Sequence, residues 1–472
     1  MQFTTIEFAL FFILIFYVSW EFYYYSTLRK VFLLFASYLF YASLDYAFLP
    51  LLILCPALNF FFGLWIGVEE NLTVKKWILI FTISCNLVML GMFKYYDFIL
   101  ENIMNLVGFH FFNISAEQVP YMNFVLPLGI SFFTFQGISY LIDIYRGDLS
   151  HKNSILDVML FISFFPHLMA GPIVKANEFI PQLKNRVDPT KIPIYYSLFM
   201  ILLGLFKKIV IASYLGTDIV DPIFENPSLY SSSDILFGVY SYAIQIYCDF
   251  SAYSDLAIAF AGLLGYEFPI NFDQPYRATS LQDFWRRWHI SLSTWLRDYL
   301  YKPLGGSKLG NIKTYRNVFI TMLLGGLWHG ASWNFIFWGF LHGLGLIFEK
   351  YFQFNTKINR GFIIKSLKTI LVFHFVCFAW IFFRSPTLDK VMELFGGLFK
   401  FDMQAKKVSF FYALLLTTGI AFHFVKPLKL WSFPEIIFKK PRLIFALAVS
   451  IVITIISTLS PEGVAPFIYF RF

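Results

Sequence analysis

The chain has 472 residues, of which 58% are hydrophobic and 14% charged, and its mean hydropathy is +0.65. A soluble domain carries about 25% charged residues, so the composition excludes one and defines a membrane protein; 62 phenylalanines and 28 tyrosines suit broad lipid-facing and interfacial surface. The net charge of +8 is what Lys/Arg-rich cytoplasmic loops give any multi-pass chain, and no basic stretch forms a nucleic-acid module, which excludes nucleic acid as a partner.

The N-terminal stretch "MQFTTIEFALFFILIFYVSWEF" lacks a positive leader and a small-residue cleavage site, so its apolar run, 8–24, reads as a retained span. Further apolar runs follow at 31–44, 47–67, 77–93, 122–142, 155–174, 193–214 and 233–265, the last long enough for a span plus a re-entrant piece. A pair lies within 317–349, and others at 367–384, 409–425 and 441–460. With ~20 residues needed per crossing, the sequence predicts an all-α polytopic protein of roughly 11 to 13 membrane segments. No Gly/Ser linker or soluble domain interrupts them. One integral membrane domain over 1–472 is expected, with a core at about 122–349 and C-terminal spans and tail at 360–472.

Orientation follows from the cations. Arg29–Lys30, Lys75–Lys76 and Arg146 with Lys152 are separated by two spans each, so they share one side, the cytoplasmic one. The loop 175–191, with Lys175, Lys184, Arg186 and Lys191, breaks the alternation, as a half-membrane segment or a miscounted span would make it do. Cys55, Cys85, Cys248 and Cys377 sit in apolar runs without CxxC spacing, which argues against a disulfide framework or a metal site.

Four stretches carry polar chemistry. In "SLQDFWRRWHISLSTWLRDYLYKPLGG", a helix starting near Asp283 would gather Phe284, Trp288, Leu292, Trp295 and Tyr299 into one arc of about 80° and Arg286, His289, Ser293 and Arg297 into another. That stripe is either an interfacial helix binding lipid headgroups or the wall of a polar cavity for an anionic or hydroxyl-bearing substrate. In "TMLLGGLWHGASWNFIFWGFLHG", His329 stands in an apolar run with Asn334 close behind. An ionisable group at membrane depth is a functional candidate, and imidazole titrates where a general base must. The alternative is a histidine bonding a carbonyl between packed helices, the reading given to His342 and His423.

In "YAIQIYCDFSAYSDLAIAFAGLLGYEFP", Asp249 and Asp255 need cationic partners, for which arginines 286, 287 and 297 are the expected ones. In "FVLPLGISFFTFQGISYLIDIYRG" and "FISFFPHLMAGPIVK", Pro and Gly break both runs, and Gln136 and His167 lie in the breaks. Broken helices at membrane depth line a cavity or are covered by protein.

In these blocks, together with "DQPYRATSLQDFWRRWHISLSTWL" and the terminal "FIYFRF", the chain resembles the membrane-bound O-acyltransferases (MBOAT), in particular the bacterial alginate and peptidoglycan O-acetyltransferase branch. The resemblance implies a ring of helices around a central tunnel, open to the cytosol and funnelled to the outside. It implies acetyl-CoA as acyl donor, no bound cofactor or metal, and transfer to a hydroxyl of an exported polysaccharide. It also implies an extracytoplasmic (SGNH-type) O-acetyltransferase partner, membrane lipid around the chain, and a place in the bacterial inner membrane. The family's W-H-G histidine maps onto His329 and its second histidine onto His289. Tyr469 is either an interfacial aromatic anchor or, by the resemblance, an acyl relay. A D-alanyl transferase of the same family is the alternative within it. A transporter or flippase is the rival of another class, but it should carry an internal repeat, and none is seen.

Overall fold

The protein is described by a computed structural model covering residues 1–108, 121–169, 171–352, 361–424, 442–461 and 467. Among these residues the structure is all-α, without strands. The first helices are α1 (Ile6–Glu21), α2 (Ser26–Asp45), α3 (Leu49–Val68), α4 (Leu72–Lys94) and α5 (Tyr96–Ile103). Then come α6 (Ile130–Arg146), α7 (Ile155–Ser163), α8 (Phe165–Leu168), α9 (Ala176–Lys184) and α10 (Ile194–Leu205). The chain continues through α11 (Asp221–Glu225), α12 (Ser232–Leu263), α13 (Leu281–Trp285), α14 (Ile290–Leu296), α15 (Asn311–His329) and α16 (Trp333–Tyr351). It closes with α17 (Phe362–Arg384), α18 (Leu388–Leu398), α19 (Phe410–Ala421) and α20 (Arg442–Thr458). Starts are fixed by side chains that take up orphan N–H groups: Thr5 accepts from Phe8 N–H at α1, and Asn71 from Thr73 and Val74 N–H at α4.

Six helical stretches among the described residues are long and apolar enough to cross a bilayer: Ile6–Tyr24, Ser26–Asp45, Leu49–Val68, Leu72–Lys94, Ile194–Glu225 and Phe362–Arg384. That is fewer than the apolar runs in the sequence, because several runs fold as shorter or more polar buried elements. One run is not a crossing at all. Helix α7 has nine residues and is only about 14 Å long, half of the ~30 Å hydrocarbon layer. Both ends of the segment 146–175 meet the same surface. Arg146 donates to the Asp298 carbonyl at 3.0 Å, and Lys175 pairs with the Asp298 carboxylate at 2.8 Å. At α7's first turn, Asp157 pairs with Lys30 at 2.6 Å. So 155–174 dips in and returns, and the cations of 175–191 lie on the basic face with Arg29, Lys30 and Arg146. The broken alternation comes from this half-membrane segment.

The run 233–265 shows the opposite deviation. It is one continuous helix of 32 residues, α12, rather than a span plus a re-entrant piece. Its start is tied to the loop after α18, where Asp234 accepts from the Lys406 and Lys407 N–H groups at 2.9 and 2.7 Å. Its end lies on the basic face, where the Leu264 carbonyl accepts from Arg29 at 2.6 Å.

Helices α15 and α16 form a tight antiparallel pair because glycines let their backbones touch. A Cβ on Gly326 would stand 2.3 Å from the Phe335 carbonyl oxygen, and one on Gly339 2.5 Å from that of Met322. Beside the pair lies an aromatic core in which Trp288, Trp338 and Trp380 are fully buried. Trp338 stacks on Trp380 at 5.8 Å and meets Trp285 edge-on at 5.6 Å.

Candidate active site

The stretch around His289 is where the sequence reading needs most correction. It is two short helices, not one. The chain breaks between α13 and α14, and His289 sits at the break with φ +42, a left-handed conformation unfavourable for a residue with a Cβ. Both outer ends return to the basic face: Glu349, at the end of α16, accepts from Gln282 N–H at 2.9 Å, and Asp298 holds Lys175. The segment 281–301 is thus a second re-entrant loop with His289 at its tip. The aromatic arc is buried as expected, with Phe284, Trp288, Leu292, Trp295 and Tyr299 in the core. The polar stripe is split. Arg286, Ser293 and Arg297 line a cavity of about 810 Å³ with Tyr301, Ser307 and Lys350, while His289 turns away from them into the protein.

There His289 Nδ1 lies 3.1 Å from Asn271 Oδ1. The same oxygen accepts from the Ser291 backbone N–H at 3.2 Å and from Ser291 Oγ at 2.9 Å. A backbone N–H only donates, so that atom of Asn271 is the oxygen, and His289 Nδ1 must carry a hydrogen. This leaves Nε2 as a bare acceptor, buried and without a hydrogen-bond partner among the described residues. Asn271 is itself fixed by donation to Ser254 Oγ at 2.9 Å. Sequence reasoning missed Asn271, because eighteen residues of loop and short helix separate it from His289.

His329 is the last residue of α15 and is buried. Its ring lies 5.1 Å from Trp328, 5.1 Å from Trp338 and 5.0 Å from Phe383, centroid to centroid. Trp328 bridges the two histidines, its ring 6.2 Å from that of His289. The chain turns sharply after His329, and Asn334 at the start of α16 ties this corner to the end of α17 by donating to the Ser385 carbonyl at 2.7 Å.

His329 and Trp328 also line a second cavity, of about 410 Å³, with Asp45, Lys94, Pro127, Gly129 and Ser131. Its walls are the ends of α2 and α4 and the start of α6, the helix ends opposite the basic face. The first cavity opens at the basic face, where Arg297 pairs with Asp298 at 3.0 Å. The two histidines stand between an Arg/Lys-lined cavity on one face and a cavity on the other. Lys94 is a second residue the sequence reading passed over: its Nζ donates to the Trp328 carbonyl at 2.5 Å, the His329 carbonyl at 3.1 Å and Ser131 Oγ at 3.3 Å. Its position at the end of an apolar run looks like an ordinary boundary lysine, so no local signal marks it.

Other expectations change. Asp249 and Asp255 do not pair with the arginines. Asp249 bonds Lys208 at 2.6 Å and Asp255 bonds Lys207, because the π-helical turn Phe206–Ala212 presents two successive lysines to α12. Arg287 turns instead to Asp283 and Asp273 at 2.9 and 3.3 Å. His167 bonds the chain only locally, Nε2–H donating to the Phe161 carbonyl at 2.8 Å while the ring stacks on Phe268 at 5.1 Å. It supports the α7–α8 hairpin and lines neither cavity. Gln136 is buried in α6, its amide without a hydrogen-bond partner among the described residues, and it too lines neither. His342 and His423 pack in the interior but not by the expected carbonyl bond between helices: His342 Nδ1 accepts from Trp285 Nε1 at 3.3 Å, and His423 Nδ1 donates to the Gly419 carbonyl at 3.1 Å, four residues back in its own segment. Tyr469 lies outside the described residues.

Fold and site together describe a polytopic membrane protein with buried imidazoles between cavities on its two faces. The family model for MBOAT, the membrane-bound O-acyltransferase family, matches residues 61–385. A protein of Pseudomonas syringae pv. tomato named probable alginate O-acetylase is 40% identical over 387 residues, covering 81% of this chain and 72% of its own. The peptidoglycan O-acetyltransferase of Helicobacter pylori is 37% identical over 398 residues, 78% of this chain and 73% of its own. A teichoic acid D-alanyltransferase of Bacillus subtilis is more distant, 27% identical over 56% of this chain and 70% of its own. The chain belongs to the membrane-bound O-acyltransferase family and is a multi-pass membrane acyltransferase.

Proposed function

We propose that this protein takes acetyl from cytosolic acetyl-CoA and passes it across a bacterial inner membrane for O-acetylation of an exported polysaccharide of the alginate or peptidoglycan type. The observation that carries the reading is the pair of cavities on opposite faces with His329 and His289 between them. In this reading the basic face is cytoplasmic, as the positive-inside rule requires. Arg286, Arg297 and Lys350 in the larger cavity suit the phosphates of CoA. The acceptor hydroxyl enters from the smaller cavity.

Transfer from sulfur to oxygen needs the hydroxyl proton removed as the oxygen attacks the thioester carbonyl, with the thiolate leaving. His329 is the general base, exposed to the smaller cavity and shielded from bulk water by aromatic rings. His289, its tautomer set by Asn271, offers Nε2 as a second acceptor on the route. The acetylated hydroxyl belongs either to the glycan or to Tyr469, which then relays the group to an SGNH-type transferase outside. That partner and the relay rest on the family resemblance.

A positioned base contributes about 10²- to 10⁴-fold, so His329→Ala should insert normally and lose transfer by that factor. Mass analysis of exported glycans from cells with and without the protein, and with the variant, gives the readout. Retention of O-acetyl groups in H329A cells rejects the base, and their retention in cells lacking the protein rejects the function. Tyr469→Phe separates relay from direct transfer: undiminished glycan acetylation removes the relay.

A further inference from the structure

We infer that Lys94 is a positioning residue for the acyl transfer: its charged amine holds the open end of α15 and so sets where His329 stands. The inference rests on the assignment of His329 as the base, and goes beyond it by naming what fixes that base from another helix.

The last carbonyls of a helix have no partner within it, and α15 stops abruptly because the backbone is extended at Gly330 (φ −169). Three successive carbonyls at this end are taken up by the last residue of α4 and the residue that caps it. Tyr95 Oη donates to Leu327 at 2.8 Å, and Lys94 Nζ donates to Trp328 and His329 at 2.5 and 3.1 Å. The remaining ammonium hydrogen points to Ser131 Oγ at 3.3 Å, on α6. All three donors of the amine are thus committed, and α4, α6 and α15 are pinned at one point on the wall of the smaller cavity.

The charge matters as well as the hydrogen bonds. A helix C-terminus carries the equivalent of about half a negative charge, which offsets part of the cost of burying an ammonium in apolar surroundings. A neutral donor would lose that term and would reach one carbonyl rather than two. Sequence position explains none of this: Lys94 and His329 are 235 residues apart. The imidazole ring is then locked by Trp328, Trp338 and Phe383, so a shift of the backbone at 329 moves the reacting nitrogen directly. A misplacement of about 1 Å at a reacting group costs about 10²-fold in rate.

The test uses the full chain in proteoliposomes, with acetyl-CoA as donor and transfer followed as a function of donor and acceptor concentration. Lys94→Met, similar in length and apolar, should lower kcat about 100-fold with little change in either KM. Lys94→Arg should keep most of the activity, since it keeps the charge and the donors. Lys94→Ala should be reactivated saturably by added ethylammonium, which fits the vacated space, and not by ethanol at the same concentration. Wild-type kcat in K94M would overturn the inference. So would a loss confined to the acceptor KM, which would make Lys94 a substrate contact. Equal inactivity of K94R and of K94A with amine would mean that only packing is at stake. If K94M does not accumulate, amine rescue of K94A decides alone. His329→Ala run in parallel separates the two levels: an active H329A removes the base assignment, whereas an inactive H329A beside an active K94M removes only the role of Lys94.

Discussion

Gly330→Ala is the substitution whose effect follows most directly from the geometry. The backbone there is extended, open to any residue, so the glycine is required by space. A Cβ would lie 2.2 Å from Phe335 Cε2 and 2.5 Å from Cδ2. Carbon atoms rest about 3.5 Å apart or more, so something must move by roughly 1.3 Å. The Phe335 ring is buried and meets Phe383 edge-on at 4.9 Å, and its carbonyl lies against Gly326. It has nowhere to go. Overpacking of this kind destabilises by about 1–3 kcal/mol, and any share of the movement taken up by residue 329 appears as lost rate. In detergent, the thermal midpoint of G330A should fall, and acyl transfer should fall by more than the lost folded fraction explains. Phe335→Leu in the G330A background removes the ring atoms that clash and should restore part of both. Wild-type midpoint and transfer in G330A would refute the reasoning, and a double variant no better than G330A would place the strain in the backbone.

Two further outcomes test the supporting structure. Lys208 and Asp249 are an ion pair with side chains only 2% and 3% exposed, so K208M or D249L alone should destabilise by about 3–5 kcal/mol by leaving a buried charge, while the double variant should recover most of it; additive losses in the thermal midpoint would contradict this. Asp298, outside the membrane-spanning helices, is pulled up by burial but pulled down further by hydrogen bonds from Arg297, Lys175 and Lys302, so its carboxyl is held well below the usual range. Its contribution to stability is therefore full above the unfolded carboxyl value of about 3.9 and is lost as pH falls through the folded value, so D298N should flatten the acid-side fall of the thermal midpoint between about pH 5 and pH 2. An unchanged slope would remove Asp298 as the anchor of the two re-entrant segments.

Much of this protein is written in its composition and local pattern. Apolar runs near the length of a bilayer, Lys/Arg at alternate ends, and a histidine in "WHG" inside a greasy stretch are sufficient for a multi-pass protein with a candidate base, because length, hydropathy and burial cost act locally along the chain. The loop 175–191 even signalled a half-membrane segment through its misplaced cations. What local pattern could not settle is where a helix breaks and which distant group answers a buried charge. The stripe of Arg286, His289, Ser293 and Arg297 is regular at helical spacing, yet the helix breaks at His289, since Asn271 and the aromatic core favour a left-handed residue there. Asp249 and Asp255 need cations, but a π-helical turn elsewhere, and not arginines 286, 287 and 297, supplies them. Lys94 and Asn271 carry no signal in sequence because their roles exist only through contacts with residues far along the chain. Apolar spans and the side their cations favour are decided by neighbours in sequence; the site is decided by where helices break and which of their ends come together, and only packing in three dimensions sets that.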